Sequence, residues 1–137
     1  MVGWYYLCPA TIGSIQTLVR QAHLDWPDCH FLLEDNGPGG AVRANVRVPE
    51  SHCQGFTTTL ANKQRMIGEL EVHVHNEWIM WSAKDCPQLD AEMRSYRGPS
   101  DDKTYAQDCV MSLGLALEAA ASSSFPELGR IVGVILV

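Results

Sequence analysis

Apolar and polar residues alternate strictly from Glu69 to His75, and β-rich residues resume at Trp78. A period of two predicts strands. Joined by Asn76-Glu77, the two runs predict a hairpin over residues 69–84, with its register set by a two-residue loop. Opposite pairs then run from His75/Trp78 to Glu69/Lys84, and successive pairs point to opposite faces. One face carries Leu70, Val72, Val74, Ile79, Trp81 and Ala83 and reads as core. The other carries Glu69, Glu71, His73, His75, Trp78, Met80, Ser82 and Lys84. That second face is too acidic for a core, yet each large apolar side chain left in water forgoes roughly 1.5–3 kcal/mol of burial. It therefore predicts a contact surface.

The same patterning places the other elements. Val2 to Cys8 is aromatic and β-rich and predicts a strand ended by Pro9. Thr11 then caps a helix in which Ile12, Ile15, Leu18, Val19, Ala22 and Trp26 recur at helical spacing up to Pro27. CHFLLED (29–35) and AVRANVRV (41–48) flank Asn36-Gly37-Pro38-Gly39-Gly40 and predict a second hairpin, because Val42, Ala44, Val46 and Val48 alternate with Arg43, Asn45 and Arg47. Residues 49–68 are ambiguous, and the Thr-rich run from Phe56 to Ala61 is assigned to a strand. Pro87 suits the first turn of a short helix over Cys86–Tyr96. Ser100 caps the last helix, with Tyr105, Cys109, Leu113, Ala116, Leu117 and Ala120 as its buried stripe. The closing run IVGVILV has no polar residue and predicts a strand covered on both faces. Together these elements predict an α+β fold: one domain over residues 1–137, a mixed and mostly antiparallel sheet, two main helices on one face, and the C-terminal strand central.

Length and composition agree with one domain, since 137 residues at 46% hydrophobic content can bury one substantial core. No apolar run is long enough for a membrane span, and the first residues lack a basic signal-peptide start, so a cytoplasmic location and no membrane partner are expected. Five cysteines without a C-x-x-C predict small buried hydrophobes and no disulfide framework.

Charge changes the picture further. The net charge is −6, but residues 1–68 balance five acids with five bases, while residues 69–108 hold nine acids against four bases. The excess begins at the predicted hairpin and favours a basic partner over nucleic acid.

Candidate chemistry is sparse. On a strand, His73 and His75 would share a face with Glu71, which is a metal-ligand arrangement lacking a third well-placed group, so no metal and no cofactor are expected. His52-Cys53 are sequence neighbours that a strand points apart. Asn36–Gly40 lacks the Lys-Ser/Thr of a phosphate loop, and a strand is expected to follow it. The expected function is a non-enzymatic protein-binding module, of the kind seen in acidic inhibitors and immunity-type proteins. Its basic protein partner would be engaged by Glu69, Glu71, His73, His75, Glu77, Trp78 and Met80, with Asp85, Asp90 and Glu92 in the acidic surround; self-association as a homodimer through the same face is a variant. The alternative is a small enzyme or a metal- or ligand-binding domain using His73, His75 and Glu71.

Overall fold

The computed structural model describes residues 3–7, 11–37, 39–99, 107–122 and 132–136. In chain order the elements are β1 (Gly3–Leu7), α1 (Ile12–Asp25), β2 (Phe31–Glu34), α2 (Gly39–Asn45), a 3-10 turn (Glu50–His52), β3 (Cys53–Phe56), α3 (Leu60–His75), α4 (Pro87–Ser95), α5 (Asp108–Ser122) and β4 (Val132–Leu136). The strands form two parallel pairs, β1 with β4 and β2 with β3. The expected mostly antiparallel sheet is therefore wrong: the chain is helix-rich, and among the described residues no strand pair is antiparallel. β4 is a strand as expected, yet among the described residues it has β1 as its one strand neighbour and is not central.

Residues 69–84 are not a hairpin. Glu69–His75 completes α3, and Asn76 to Ser82 leads out of it without regular structure. The helix begins well before the alternation: the Thr59 hydroxyl accepts a hydrogen bond from Asn62 N at 3.2 Å, capping the run LANKQRMIGEL. Within that run Lys63, Met66, Ile67 and Leu70 are buried at helical spacing, and Ile67 and Leu70 pack with Val110 and Leu117 of α5. Burial against α5 outweighs the strand preference of Val72 and Val74. Glu77 takes φ 59°, which turns the chain out of the helix.

The second expected hairpin fails for a related reason. Val42 and Val46 are both buried and four apart, a helical repeat that the alternation at 42, 44, 46 and 48 concealed. α2 thus connects the parallel strands β2 and β3. The turn is tight at Gly39, where an added Cβ would strike the Glu34 carbonyl. The strand assigned to 56–61 is also corrected, since β3 ends at Phe56 and α3 starts at Leu60.

Helices α1 and α4 fall where periodicity placed them. Thr11 and Ser14 form a reciprocal capping box on α1, and Pro87 occupies the first turn of α4. The Ser100 cap and Tyr105 lie outside the described residues, but Cys109, Ala116 and Leu117 of the last-helix stripe are buried in α5. One core cluster joins α1 to β2, α2 and β3 through Ile15, Val19, Phe31, Leu33, Val42 and Cys53. The others gather on α5, with α3 on one side and Cys86 and Leu89 of the α4 region on another. Among the described residues no helix is long and apolar enough to cross a membrane.

Helix and hairpin make opposite demands on neighbouring core positions. Leu70 is 2% exposed whereas Val72 is 52% exposed. Leu70→Ala should cost about 2–5 kcal/mol and Val72→Ala less than about 0.5 kcal/mol in urea unfolding. Comparable losses at both positions would restore the hairpin.

Candidate functional site

The surface expected to bind is dispersed by the helix. His73 and His75 stand two apart on α3, roughly 200° around its axis, so they do not share the face a strand would have given them. His73 Nδ1 donates to the Glu69 carbonyl at 2.8 Å, and its ring meets Trp78 edge-on with centroids 5.2 Å apart. Glu71, His75 and Glu77 are exposed, as are Asp85 and the apolar Trp78 and Met80. Glu69 is spent in an ion pair with Arg65 at 3.0 Å.

Two further acids prove structural. Asp90 pairs with Arg94 at 2.8 Å and accepts from Trp81 Nε1 at 3.3 Å; the Arg94 hydrogen bond, against a smaller opposing effect of burial, holds its carboxyl below the usual range. Glu92 Oε2 accepts from the backbone N–H of Cys109 at 2.7 Å and of Val110 at 3.3 Å, capping α5 from α4. Without the hairpin, the inhibitor or immunity-type reading loses the two-faced surface that motivated it and is withdrawn.

Chemistry concentrates elsewhere, in a cavity of about 200 Å³ between β2 and α5. Its apolar wall is supplied by Leu33 of β2 with Met111, Leu115 and Ala116 of α5, and its polar rim by His30, Glu34, Thr58, Lys63, Gln107, Asp108 and Ser112. The parallel pairing of β2 with β3 puts Glu34 and Phe56 at the same strand end, where the Asp35 N–H donates to the Phe56 carbonyl at 2.8 Å. The carboxyl ends of parallel strands are the usual place for a ligand in such units.

Each polar group is held by its element. Glu34 is the last residue of β2, while Asp108 opens α5, where a carboxylate is favoured by the helix dipole. Lys63, on the buried stripe of α3, is only 6% exposed and donates from Nζ to Gln107 Oε1 at 2.7 Å. A buried ammonium is costly unless it is hydrogen-bonded, so its retention here is informative. The next residue after Glu34, Asp35, is turned away to Arg43 at 3.1 Å. Its carboxylate fills the space a Cβ at Gly55 would need.

Electrostatics joins the groups. Glu34 and Asp108 are both solvent-exposed at the rim; partial desolvation first, then the charge of Glu34, pushes the Asp108 carboxyl above its ordinary value, and Lys63 draws it back down. Two carboxylates that feel one another in a cleft, with a lysine beside them, are the kind of cluster that marks functional sites. Among the described residues, no group of three or more His, Cys, Asp or Glu side chains is arranged to hold a metal ion unaided. The sequence reading missed this site because Glu34, Lys63 and Asp108 are far apart along the chain and belong to no motif. The available signal was a lysine within an otherwise apolar helical stripe.

Comparison with protein-family models, with curated proteins and with solved structures finds no match for this chain.

The raised Asp108 carboxyl carries a stability consequence. A carboxyl whose folded value lies above its unfolded value of about 3.8 binds its proton more tightly in the fold, so stability is lost as pH rises through that window. Asp108→Asn should therefore raise the urea midpoint at pH 7, with the gain shrinking toward pH 4. A gain of the same size at both pH values would show that Asp108 charge is not its source.

Proposed function

We propose that the cavity between β2 and α5 binds a divalent cation together with a phosphate-bearing ligand, and that the chain supports metal-assisted hydrolysis of a phosphate ester. One observation carries this reading: Glu34 and Asp108 line one cavity rim within electrostatic reach of each other and of the buried ammonium of Lys63. A cation between the carboxylates would relieve their repulsion. Magnesium and manganese suit such a site, because Mg²⁺ is commonly bound by one or two carboxylates, waters and substrate phosphate oxygens and needs no complete protein cage. Lys63 supplies a point charge for a phosphate oxygen, and Thr58 and Ser112 supply hydroxyl donors on the same rim. In that arrangement the cation would polarise the phosphoryl group and lower the pKa of a bound water, the nucleophile of the hydrolysis.

Calorimetry with Mn²⁺ and Mg²⁺ tests the cation site. The parent chain should bind, Glu34→Gln and Asp108→Asn should each weaken binding at least tenfold, and Lys63→Met should retain the cation but lose added phosphate ester. Assays with an aryl phosphodiester, nucleotides and oligonucleotides would then show which ester is cleaved. No binding of either ion by the folded parent chain at millimolar concentration would end the proposal.

A protein contact is the second reading, favoured by the exposure of Val72, Trp78 and Met80, at 52%, 68% and 74%, beside exposed Glu71 and Glu77. Aromatic and methionine side chains dominate interface cores, and an acidic surround favours a basic partner or a basic patch on a second copy. For self-association, sedimentation equilibrium should show Trp78→Ser shifting the chain toward monomer with unchanged melting. A parent chain that is monomeric at every concentration would dismiss the second-copy form of this reading.

A further inference from the structure

Three histidines from separate elements meet beside the cavity: His23 near the end of α1, His30 just ahead of β2, and His52 at the end of the 3-10 turn. His30 and His52 stack with centroids 4.8 Å apart and planes 20° apart. His23 meets His52 edge-on at 5.4 Å and 88°. All three are half-buried, and Nδ1 of both His23 and His52 is buried without a hydrogen-bond partner among the described residues. Their nitrogens form no metal-holding group. The cluster instead has the geometry of packed aromatic rings, which attract while neutral.

We propose that His23, His30 and His52 form a pH-sensitive clasp, which holds α1 and the 3-10 turn against the start of β2 while the imidazoles are neutral and loosens when they gain protons. Charge on two rings would set cations about 5 Å apart in a half-buried site, where repulsion is weakly screened.

Of the surrounding charges, Glu34, Asp108 and Lys63 share the cavity lining with His30, but the two carboxylates are exposed and are not among the causes that set its proton affinity. On α1, Arg20 is a further cation three residues from His23 and reaches the Asn45 carbonyl at the end of α2, while Asp25 accepts from Gln21. Asp28 bears on the Cys29 thiol, which burial first of all pushes up to about 11. Glu50 of the 3-10 turn is exposed; Asp35, after β2, and Arg43 of α2 neutralise one another and bear in opposite senses on Cys53 of β3. His30 is held below the ordinary imidazole range by burial and then by His52. A histidine with a lowered folded value binds fewer protons in the fold than in the unfolded chain. Its stabilisation is complete above about 6.5 and is lost as pH falls below that value.

Hydrogen exchange read by mass spectrometry at pH 7.5 and 5.5, corrected for intrinsic exchange rate, tests the clasp. Protection of segments 22–31 and 50–53 should fall several-fold at pH 5.5, up to about tenfold for each proton the clasp excludes at one unit below the ordinary imidazole value, with α3 and α5 little changed. His52→Phe keeps the stacking and removes the charge, so it should retain protection at pH 5.5, whereas His75→Phe, at an exposed site on α3, should behave as the parent. Equal protection of the parent at both pH values, or an undiminished fall in His52→Phe, would overturn the clasp. If His52→Phe does not fold, proton NMR of the parent decides: coupled titration of His30 and His52 supports the clasp, and three independent titrations near 6.5 refute it.

Discussion

The seating of α5 is the constraint on which the described structure depends. This helix lies against β2, β4, α3 and α4, so four elements share one apolar cylinder. Its amino end would expose unpaired N–H groups, and Glu92 of α4 supplies the acceptor for two of them. The same carboxylate, next to burial, drives the Cys109 thiol up to about 12, which keeps that sulfur a protonated, inert part of the core. On the opposite flank Arg65 of α3 reaches Glu118 of α5 at 2.7 Å, but both groups retain solvent access and the pair only trims the register set by Ile67, Leu70, Val110 and Leu117. Once α5 is seated, Asp108 has no choice of position: it emerges at the strand end occupied by Glu34, above Lys63.

That dependence explains why the cavity chemistry could not be read from the chain. Glu34, Lys63 and Asp108 acquire meaning when β2, α3 and α5 converge, and none sits in a local pattern of recognised spacing. The elements that were legible carry their own punctuation. Thr11 with Ser14, and Pro87, mark helix starts by local hydrogen bonding and backbone geometry, which need no partner. β1, β2 and β4 were also legible as apolar runs, but their parallel pairing was not, because pairing depends on what crosses between strands.

The two failed hairpins share one cause. In Glu69–His75 and in Val42–Val48 a period of two coexists with a helical repeat, and a short window cannot separate them. Extending the first window back to Thr59 shows a cap and the stripe Lys63, Met66, Ile67, Leu70 and Val74, and the strong helix formers Leu60, Ala61, Lys63, Gln64, Arg65 and Met66 tip the balance. For the second, α2 is only seven residues long, and the burial of its Gly39 and Val42, with Val46 just beyond its end, against the β2 and β3 region decides its state. The apparent core face of the misread hairpin mixed truly buried Leu70 with exposed Val72, so the outward-facing acids and histidines were sorted onto a surface that does not exist.

The pairing of β1 with β4 bears on how the chain reaches this state. Gly3 to Leu7 align in register with Val132 to Leu136, so nearly the whole chain lies between partners that share a ladder. Closing so large a loop is an entropic cost met before any ladder hydrogen bond repays it. During synthesis β1, with its segment Trp4-Tyr5-Tyr6, has no β4 to pair with until the residues between them have been made. The β2–α2–β3 unit, closed over a short span, can form in the meantime. Of the two described strand pairs, the β1–β4 ladder closes far the longer loop, so its entropic cost weighs more heavily on the rate of folding than that of β2–β3.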